Sequence, residues 1–448
     1  MTHLHEISRK WFWRQTELPG REVFVDVRGE YERCLILVRV FYCFLLYNAI
    51  DQYPNWQGLV RLTEPDLLWP VAWAALLPWA LAVKGVTLTH LFGCLAAAFW
   101  PGARLARVAA FAGILMAVAL FNSYGKINHN DHPLILAALV LVFLPGSSRG
   151  KRPSPGAMRG YCETFWGAQA TMLLLYTIAG FMKLLGVLTN LQRGEKTVFH
   201  LDGPAMILAR DFLRTDKETM IGHFVLDHPV LLAYPLFVAT IYLELFAVGA
   251  AFRPSLTRIW GGALIAVHLG ISLVMEIHFV RWIFLLGLLF LASPFRGRGG
   301  GAAERVRDLP WIGPFLSALG AFLRSRGRGR PGAKSTVYAD PRCGVGRRID
   351  SLLERLGVPP GFEVRGTESR DYVRLEREYP YLEDIDGLVV VSAENGRKAV
   401  RLKSEAALWL LSHFRGAWGW SFLLLLIPVP LLDLGYAFAA WRGRRASS

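Results

Sequence analysis

The chain has 448 residues, 53% of them hydrophobic, and a net charge of +15. This composition is unusual for a soluble protein, and several apolar runs approach the roughly 20 residues that a membrane-spanning helix needs. The excess of basic residues is spread over loops and no base-stacking motif accompanies it. It therefore argues against nucleic-acid binding and for membrane topology and contact with anionic lipid.

Residues 1–32 are predicted to form an N-terminal segment at the membrane interface. Their charges are mixed, which argues against a secretory signal peptide, and the tryptophan-rich stretch HEISRKWFWRQTEL is typical of an interfacial helix. Residues 33–296 then predict a mostly α-helical transmembrane bundle of eight or nine spans, some of them short or tilted. The apolar runs are 34–50, 67–83, 86–99, 104–121, 133–145, 164–185, 229–252, 259–275 and 278–294. Only Lys84-Gly85 separates the second run from the third, which predicts a tight helical hairpin there.

The composition changes after the last apolar run. Residues 297–334 are rich in Gly and Arg and predict a linker with one interfacial helix, and their arginine density favours the cytoplasmic side. Residues 335–448 predict a small α/β domain with the element order β-α-β-α-β-β-α of thioredoxin-like proteins. A hairpin turn at Glu394-Asn395-Gly396 joins its last two strands. The apolar tail contains two prolines and an aspartate, so we expect amphipathic helices there rather than a further span.

A polar cluster directly precedes the run 133–145. It contains His129, Asn130, Asp131 and His132. Polar groups at membrane depth are costly unless they are paired or used, so this cluster predicts a functional site. The alternative is an interfacial loop whose Asn and Asp cap the next helix. A metal site made by the two histidines and Asp131 is weakly indicated, because such spacings recur by chance. The five cysteines are widely spaced, so we expect no zinc site or disulfide framework either.

The ionisable residues inside the apolar runs include Arg39, Lys183, Glu244 and His268. An apolar environment disfavours the charged form of Lys183, and a neutral amine is a usable general base. Alternatively, Lys183 snorkels to the headgroups. Glu244 is predicted to pair with Arg39 or with Lys183, in a structural or a catalytic role. A histidine such as His268 on an apolar helix is more often part of a packed core.

Three stretches carry a resemblance to a known family. The first is Asn128-His129 just before an apolar span. The second, Tyr176, Ala179-Gly180 and Lys183-Leu184, gives the pattern Tyr-x-x-Ala-Gly-x-x-Lys-Leu. The third is His268 followed by FLLGLLFLASPF. Through these stretches, residues 30–296 resemble the HTTM family, the transmembrane module shared with vitamin K-dependent γ-glutamyl carboxylases.

The resemblance implies a chemistry. In the carboxylases, the residue that matches Lys183 is the base that deprotonates vitamin K hydroquinone. The quinol anion reacts with oxygen to give a stronger base, which removes a γ-proton from Glu, and carbon dioxide adds to the carbanion. The resemblance gives His129 a role beside the carbanion, with Asn128 and Asn130 orienting its ring, and makes Tyr176, Glu244 and His268 supporting residues. It implies a hydroquinone of the vitamin K or menaquinol type, no metal, a peptide or protein substrate, and a bacterial-type cell membrane.

Residues 335–442 resemble the DCC family of predicted thiol-disulfide oxidoreductases. The similarity lies in the first strand, in a Cys at a helix start and in DGLVVV followed by RLKSEAALWLL. The Cys-x-x-Cys of that family is Cys343-Gly344-Val345-Gly346 here, so the second Cys is missing. The preceding Asp-Gly is altered, and the proline before the third strand is absent. A helix N-terminus favours the thiolate of Cys343, which either forms mixed disulfides or is the remnant of a lost site.

These observations leave three hypotheses. The first is a carboxylase-like membrane enzyme that uses a hydroquinone and oxygen, with Lys183 as base and His129 beside it. Because the chain has no counterpart of the large lumenal region of the animal carboxylases, quinol oxidation without carboxylation, or modification of a small peptide or lipid, stays open. The second is a non-enzymatic membrane partner with a redox-inactive docking domain. The third is a thiol–quinone redox relay, which the missing second Cys weakens.

Overall fold

The computed structural model divides into two compact units, residues 23–297 and residues 1–22 with 298–448. The structure describes residues 16–17, 26–62, 65–125, 127, 129–146, 153–194, 196–216, 219–295, 309–310, 315–316, 319, 335–340, 344–359, 361–379, 382, 387–394, 397–414, 421, 423–424 and 432–438. Two residues of the predicted sites, Asn128 and Cys343, lie outside these ranges, as do most of the N-terminal segment and the linker.

The first unit is helical. Its α-helices are α1 (Val27–Leu59), α2 (Trp79–Phe99), α3 (Arg104–Asn122), α4 (His132–Leu141), α5 (Pro155–Gln192), α6 (Gly203–Thr215), α7 (Met220–Asp227), α8 (Tyr234–Leu245), α9 (Ala247–Ala251), α10 (Pro254–Met275) and α11 (Val280–Leu286). Two 3-10 helices, Trp69–Leu76 and His129–Asp131, and two π-helical turns, Pro229–Ala233 and Gly287–Leu291, complete it. Side-chain caps fix several starts: Asp26 accepts a hydrogen bond from the Gly29 amide at α1, and Ser154 accepts one from Ala157 at α5.

Among the described residues, five helices are long and apolar enough to cross a membrane: α1, α2, α3, α5 and the part of α10 from Leu256 to Met275. The number becomes six if Met220–Asp227 and Pro229–Leu245, which meet at a bend of 100°, form one broken span. This is the architecture of an integral membrane protein. It has fewer long helices than the eight or nine spans predicted, because the runs around 133–145 and 278–294 form short helices and the run 67–83 forms a 3-10 helix and the start of α2.

The hairpin predicted at Lys84-Gly85 is wrong, since α2 continues through both residues. The chain instead breaks at Leu77-Pro78, between the 3-10 helix and α2. Pro78 is the N-cap residue of α2, where no intrahelical N–H bond is lost, whereas one glycine inside a helix costs only about 1 kcal/mol.

Glycines bring α2 and α3 into close contact. A Cβ atom on Gly93 would lie 2.6 Å from the Ala109 carbonyl carbon, and one on Gly113 would lie 2.4 Å from the Cα atom of His90. Small residues allow helix backbones to approach in this way inside membranes. The contact buries His90, on α2, to 3% exposure.

Arg107, on α3, is fully buried and binds backbone carbonyls. Its Nη1 donates to the Pro101 carbonyl at 2.6 Å, and its Nη2 donates to the Leu144 carbonyl at 2.5 Å. A further carbonyl, that of Val142, lies 3.4 Å from Nη2. Because carbonyls at a helix C-terminus lack intrahelical partners and carry partial negative charge, Arg107 caps the end of α4.

The second unit contains a five-stranded mixed sheet. Its elements are β1 (Thr16–Glu17), β2 (Ser335–Ala339), α12 (Gly344–Leu356), β3 (Phe362–Gly366), α13 (Arg370–Glu378), β4 (Leu388–Glu394), β5 (Arg397–Leu402) and α14 (Lys403–Ser412). The strand order is β1-β5-β4-β2-β3, with β2 parallel to β3 and the other pairs antiparallel. From β2 onward, the element order is the predicted one.

The N-terminal segment contributes the edge strand of this sheet. Thr16 pairs with Val400 and Glu17 with Ala399. These two residues are therefore extended rather than helical, because the edge of β5 offers backbone N–H and C=O groups with which they can pair.

A tail helix at residues 432–438 packs on the same unit. The Tyr436 hydroxyl accepts a hydrogen bond from the Leu388 amide at 3.0 Å, and the Ser404 hydroxyl donates to Asp433 at 2.5 Å. Gly387, which has a φ of +142°, lies directly under the tyrosine ring. The tail helix is thus fixed at the start of β4.

Candidate functional site

Three residues of the motif recognised in the sequence share one face of α5. Tyr176, Gly180 and Lys183 are separated by four and three residues, which is the spacing of neighbours on a helix surface. Gly180 is the contact point with α8, since a Cβ atom there would lie 2.9 Å from the Leu245 nitrogen and 3.0 Å from the Glu244 Cβ atom. The motif glycine therefore lets the next turn of α5 reach Glu244.

Lys183 and Glu244 form an ion pair between α5 and α8. The Lys183 Nζ atom lies 2.5 Å from Oε1 and 2.6 Å from Oε2 of the carboxylate. The Glu244 side chain is 12% exposed and that of Lys183 is 42% exposed. Of the two partners predicted for Glu244, the structure selects Lys183, whereas Arg39 has an exposed side chain on α1.

Tyr176 and His268 form a second polar pair between α5 and α10. The tyrosine hydroxyl lies 2.6 Å from the His268 Nε2 atom, and both residues are buried. Two aromatic rings enclose the pair: Trp282 packs against both rings, with centroids 5.3 Å from Tyr176 and 5.7 Å from His268, and Phe279 lies 4.8 Å from His268. His268 is therefore hydrogen-bonded rather than merely apolar core.

The two pairs share α5, on which Tyr176 and Lys183 are about two turns apart. The Thr177 hydroxyl, beside Tyr176, accepts a hydrogen bond from the Val248 amide at 3.0 Å and holds α5 against α9. An acid, a base, a phenol and an imidazole are thus fixed on adjoining helices, and such groups can hold and pass protons.

The polar turn before α4 is arranged differently from the prediction. His129 is exposed, and its Nδ1 atom lies 3.3 Å from the Nδ1 atom of His132. The structure gives His129 no contact with Lys183 among the described residues; its hydrogen-bond and ring contacts there are to His132. Within the part of the chain that is described, no group of three His, Cys, Asp or Glu residues could hold a metal ion.

Asp131 does not bond the α4 backbone with its side chain. It forms an ion pair with the Arg281 guanidinium, and the Nε atom of Arg281 also donates to the Asn48 side-chain oxygen at 3.0 Å. Asn48 in turn donates to the Phe44 carbonyl at 2.9 Å. The polar turn is therefore tied to α1 and α11 through Arg281.

A cavity of about 420 Å³, which we call the His90 cavity, lies beside this network. It is bordered by aromatic side chains, by the Asn48–Arg281–Asp131 network and by His90. Its lining residues are Phe44, Tyr47, Asn48, Asp51, Gln52, Trp56, His90, Ile114, Ala117, Val118, Phe121, Asn130, Asp131, Leu134, His278, Phe279, Val280, Arg281 and Trp282. Phe279 and Trp282 are also the rings that enclose the Tyr176–His268 pair, so the cavity adjoins that pair.

Two lining residues have buried polar atoms that lack a hydrogen-bond partner among the described residues. They are His90, at both ring nitrogens, and Trp282, at Nε1. Neither residue was predicted from the sequence, and neither were Asn48 and Arg281. An arginine within the run 278–294 was a usable signal, because an intramembrane charge needs a partner. A single histidine in the run 86–99 carries no such signal.

The comparisons with known proteins leave the function to be argued from this geometry: no protein-family model, no curated protein and no solved structure matches the chain.

Proposed function

We propose that the chain is an integral membrane enzyme that acts on a hydroquinone, similar in kind to the vitamin K-dependent γ-glutamyl carboxylases, with Lys183 as the general base. One observation carries the proposal: the Lys183 amine points to Glu244 on the facing helix, at 2.5 and 2.6 Å. A purely snorkelling lysine extends to the headgroups without a carboxylate partner. A lysine and a carboxylate in short contact between two apolar helices are instead a unit that can store and transfer one proton.

The pair explains how Lys183 acts as a base although it is tied to a carboxylate. As an ion pair, Lys183 carries the proton. Transfer of that proton from Nζ to the carboxylate leaves a neutral amine and a neutral acid, and an apolar environment reduces the cost of the neutral forms relative to the charged ones. The free amine then accepts a proton from a substrate hydroxyl, while Glu244 retains the first proton.

The second pair has a supporting role in this proposal. Tyr176 and His268 are hydrogen-bonded at 2.6 Å, next to the ion pair and to the rings of Phe279 and Trp282. The tyrosine hydroxyl and the imidazole orient the substrate oxygen and relay its proton toward the ion pair. His129 and Asn130 lie on the polar turn, where the resemblance places the groups that act on the second substrate.

A bound hydroquinone would supply, together with oxygen, the strong base that this class of chemistry requires. The residues fit such a group: aromatic rings and the Asn48–Arg281–Asp131 network border the His90 cavity, and its volume lies in the range of about 300–1,000 Å³ typical of small-molecule sites. Carboxylation of a peptide, modification of a lipid and oxidation of the quinol alone are all compatible with this set of groups.

The proposal extends to the second unit. The order β5-β4-β2-β3, with β2 and β3 parallel and β4 antiparallel to its neighbours, supports a thioredoxin-like fold. With a single cysteine at the position of the family motif, we assign this domain a docking role, and the arginine-rich linker supports a cytoplasmic location in a bacterial-type cell. The apolar runs around 133–145 and 278–294 form short helices. Counted together with the long helices, they support our proposal of a bundle with eight or nine helical elements at membrane depth.

The test is formation of quinone epoxide. The full chain, purified in lipid nanodiscs, is incubated with reduced menaquinone or vitamin K and oxygen, and epoxide is followed by chromatography. We expect epoxide with the wild type, a loss of at least about 100-fold in Lys183→Met, in line with removal of a general base, and no change in Lys84→Met, an exposed lysine on α2. Folded wild-type protein that gives no epoxide with several quinols would contradict the proposal.

The second candidate is a non-enzymatic membrane partner. It is favoured by the ion pair itself. Lys183 and Glu244 neutralise each other's charge, and an ion pair that only holds α5 against α8 would do the same. The same assay separates the two candidates, because a structural tie predicts no epoxide in any variant. It predicts lower stability when only one member of the pair is removed.

A further inference from the structure

We infer that α6 and α7 form an arm that lies in the interface of the lipid bilayer, where its outer apolar side chains contact lipid. The arm comprises α6 (Gly203–Thr215), α7 (Met220–Asp227) and the turn that joins them. It contains none of the groups that hold or transfer protons in the proposed reaction. Its partner is the lipid of the membrane, and this contact does not depend on the substrate of the protein.

Neither helix of the arm is long enough to cross a membrane. α6 has 13 residues and α7 has 8, whereas a membrane-spanning helix needs about 20. α7 meets the following segment, Pro229–Leu245, at a bend of 100°. Because a crossing at Pro229–Leu245 runs close to the membrane normal, the nearly perpendicular α7 lies close to the membrane plane.

The inner side of the arm is packed against the end of α10. Thr219, at the start of α7, donates a hydrogen bond from its hydroxyl to the Val274 carbonyl at 2.9 Å. Gly222 makes room for this contact, since a Cβ atom there would lie 2.7 Å from the same carbonyl oxygen. A small apolar core joins both helices to the segment that follows: Leu208, Phe212, Val225 and Ala233. Because α10 is a candidate span that ends at Met275, the arm is held where that span reaches the membrane surface.

The outer side of the arm carries large apolar side chains that are exposed. Leu213 and Met220, which flank the turn between the two helices, are 87% and 86% exposed, the highest values for large apolar residues in the described part of the chain. Further exposed members of this group lie on the same two helices: Met206, Ile207, Ile221 and Phe224. An exposed apolar group of this kind marks a contact with another protein or with a membrane.

Arginines lie among these apolar side chains. Met206, Arg210 and Leu213 are separated by four and three residues, so they share one exposed face of α6. Arg214 is also exposed and pairs with Asp211 at 2.7 Å. Charged residues are costly in the hydrocarbon core, whereas at the interface an arginine side chain extends to the headgroups while its apolar neighbours enter the acyl region. This mixture is typical of helices that lie in the membrane interface.

The exposed apolar surface extends along the chain beyond the arm. The end of α5 and the segment Pro229–Leu245 carry exposed leucines: Leu188, Leu191, Leu231 and Leu236. Lipid covers the apolar sides of membrane-embedded helices. Because the outer side of the arm continues these sides, lipid rather than a protein partner covers it as well.

The arm has little net charge. From Gly203 to Asp227 the chain contains three Lys or Arg and four Asp or Glu. The strength of interfacial binding depends on the apolar area that is buried and on attraction to anionic lipid. Since that attraction is weak here, apolar contact holds the arm, and its position should not depend on the charge of the headgroups.

Photo-crosslinking tests the contact directly. Leu213 and Met220 are replaced one at a time by p-benzoylphenylalanine in the full chain, which is reconstituted in phosphatidylcholine nanodiscs, irradiated and analysed as intact protein by mass spectrometry. We expect the mass of one phospholipid to be added at both positions, and the same yield in phosphatidylglycerol nanodiscs. Ile36, which is 63% exposed on the spanning helix α1, is the positive control. Leu356, an exposed leucine of the second unit, should give no lipid adduct.

The crosslinks also identify other occupants. No adduct at either position of the arm, with a lipid adduct at Ile36, would show that the arm faces water. A crosslinked dimer would show that a second copy of the chain covers it. Adducts in phosphatidylglycerol alone would assign the contact to anionic headgroups rather than to apolar side chains. Each of these results would overturn the inference.

Methionine oxidation provides a test on the unsubstituted protein. Hydroxyl radicals generated in water oxidise accessible methionines to the sulfoxide. Met220 is 86% exposed on the protein surface, whereas Met172, inside α5, is 1% exposed. In nanodiscs, lipid that covers the arm should keep the oxidation rate of Met220 close to that of Met172. Oxidation of Met220 that is faster by about ten-fold or more would place the arm in water and overturn the inference.

Discussion

Lys183 and Glu244 meet through both carboxylate oxygens, and the meeting point lies one turn beyond the glycine at which their two helices touch. Each charge is the main partner of the other. The pair therefore has two roles that can be tested, one in the stability of the protein and one in proton transfer. Single and double substitutions of the two residues should affect these roles differently.

A double-variant cycle separates these roles. Lys183→Met and Glu244→Gln should each lower the free energy of unfolding by about 1–3 kcal/mol, between the values for surface and buried pairs, since one partner keeps an uncompensated charge. The double variant should recover most of this loss and remain inactive. Thermal unfolding in detergent and the epoxide assay measure the two effects. A double variant as unstable as the sum of the single variants would show that the residues do not interact.

The close contact at Gly180 gives a second prediction. Gly180→Ala places a Cβ atom within about 3 Å of α8 and should destabilise the protein by about 1–3 kcal/mol, because the helices must separate. It should also weaken the Lys183–Glu244 pair and lower activity. Gly186→Ala, on the same helix with nothing within 4 Å, is the control. It should be neutral or stabilising by up to about 1 kcal/mol, and equal losses in the two variants would contradict the packing argument.

Arg107 provides a third prediction. Arg107→Leu should destabilise the first unit by about 2–4 kcal/mol, because the carbonyls of Pro101, Val142 and Leu144 lose a charged donor. Arg104→Leu removes an exposed arginine from the first turn of the same helix and should have little effect. The free energy of unfolding of both variants and of the wild type is measured by denaturant titration in lipid nanodiscs. Equal stability of Arg107→Leu and wild type would contradict a capping role.

The tail helix of the second unit gives a fourth prediction. Tyr436→Phe removes the acceptor of the Leu388 amide and should cost about 1–3 kcal/mol, since a buried N–H is left unpaired. Faster hydrogen exchange at Leu388 and in the helix at 432–438 should accompany the loss. Phe438→Leu, an exposed change on the same helix, is the control. Unchanged exchange at Leu388 in Tyr436→Phe would show that the tail helix is held by other contacts.

Parts of the site could be read from the sequence because they depend on local spacing. The separation of Tyr176, Gly180 and Lys183 places them on one helix face whatever the tertiary structure. The choice between Arg39 and Lys183 as the partner of Glu244 could not be made, because it depends on which helices touch. The element order from β2 onward followed from short alternating strands and a strong hairpin signal, which are also local.

Other parts required the packed structure. A cavity is a property of several helices together, and in sequence His90 does not differ from any core histidine, although its nitrogens have no partner in the described part of the structure. The sequence predicted Asp131 as a cap or a metal ligand, yet its partner Arg281 lies 150 residues away. The fall in hydropathy at Lys84-Gly85 predicted a break there, whereas α2 begins directly after Pro78 and continues through both residues.

The strand at Thr16–Glu17 has a consequence for topology. Backbone hydrogen bonds to β5 require these residues and the domain at 335–414 to be in the same aqueous compartment. Whenever this strand pair forms in the membrane-inserted protein, the chain between them crosses the bilayer an even number of times. Among the described residues, the five long helices alone give an odd number of crossings, whereas counting the bent pair Met220–Asp227 and Pro229–Leu245 as one further crossing gives an even number. A short edge strand thereby restricts the number of membrane crossings that the chain can make.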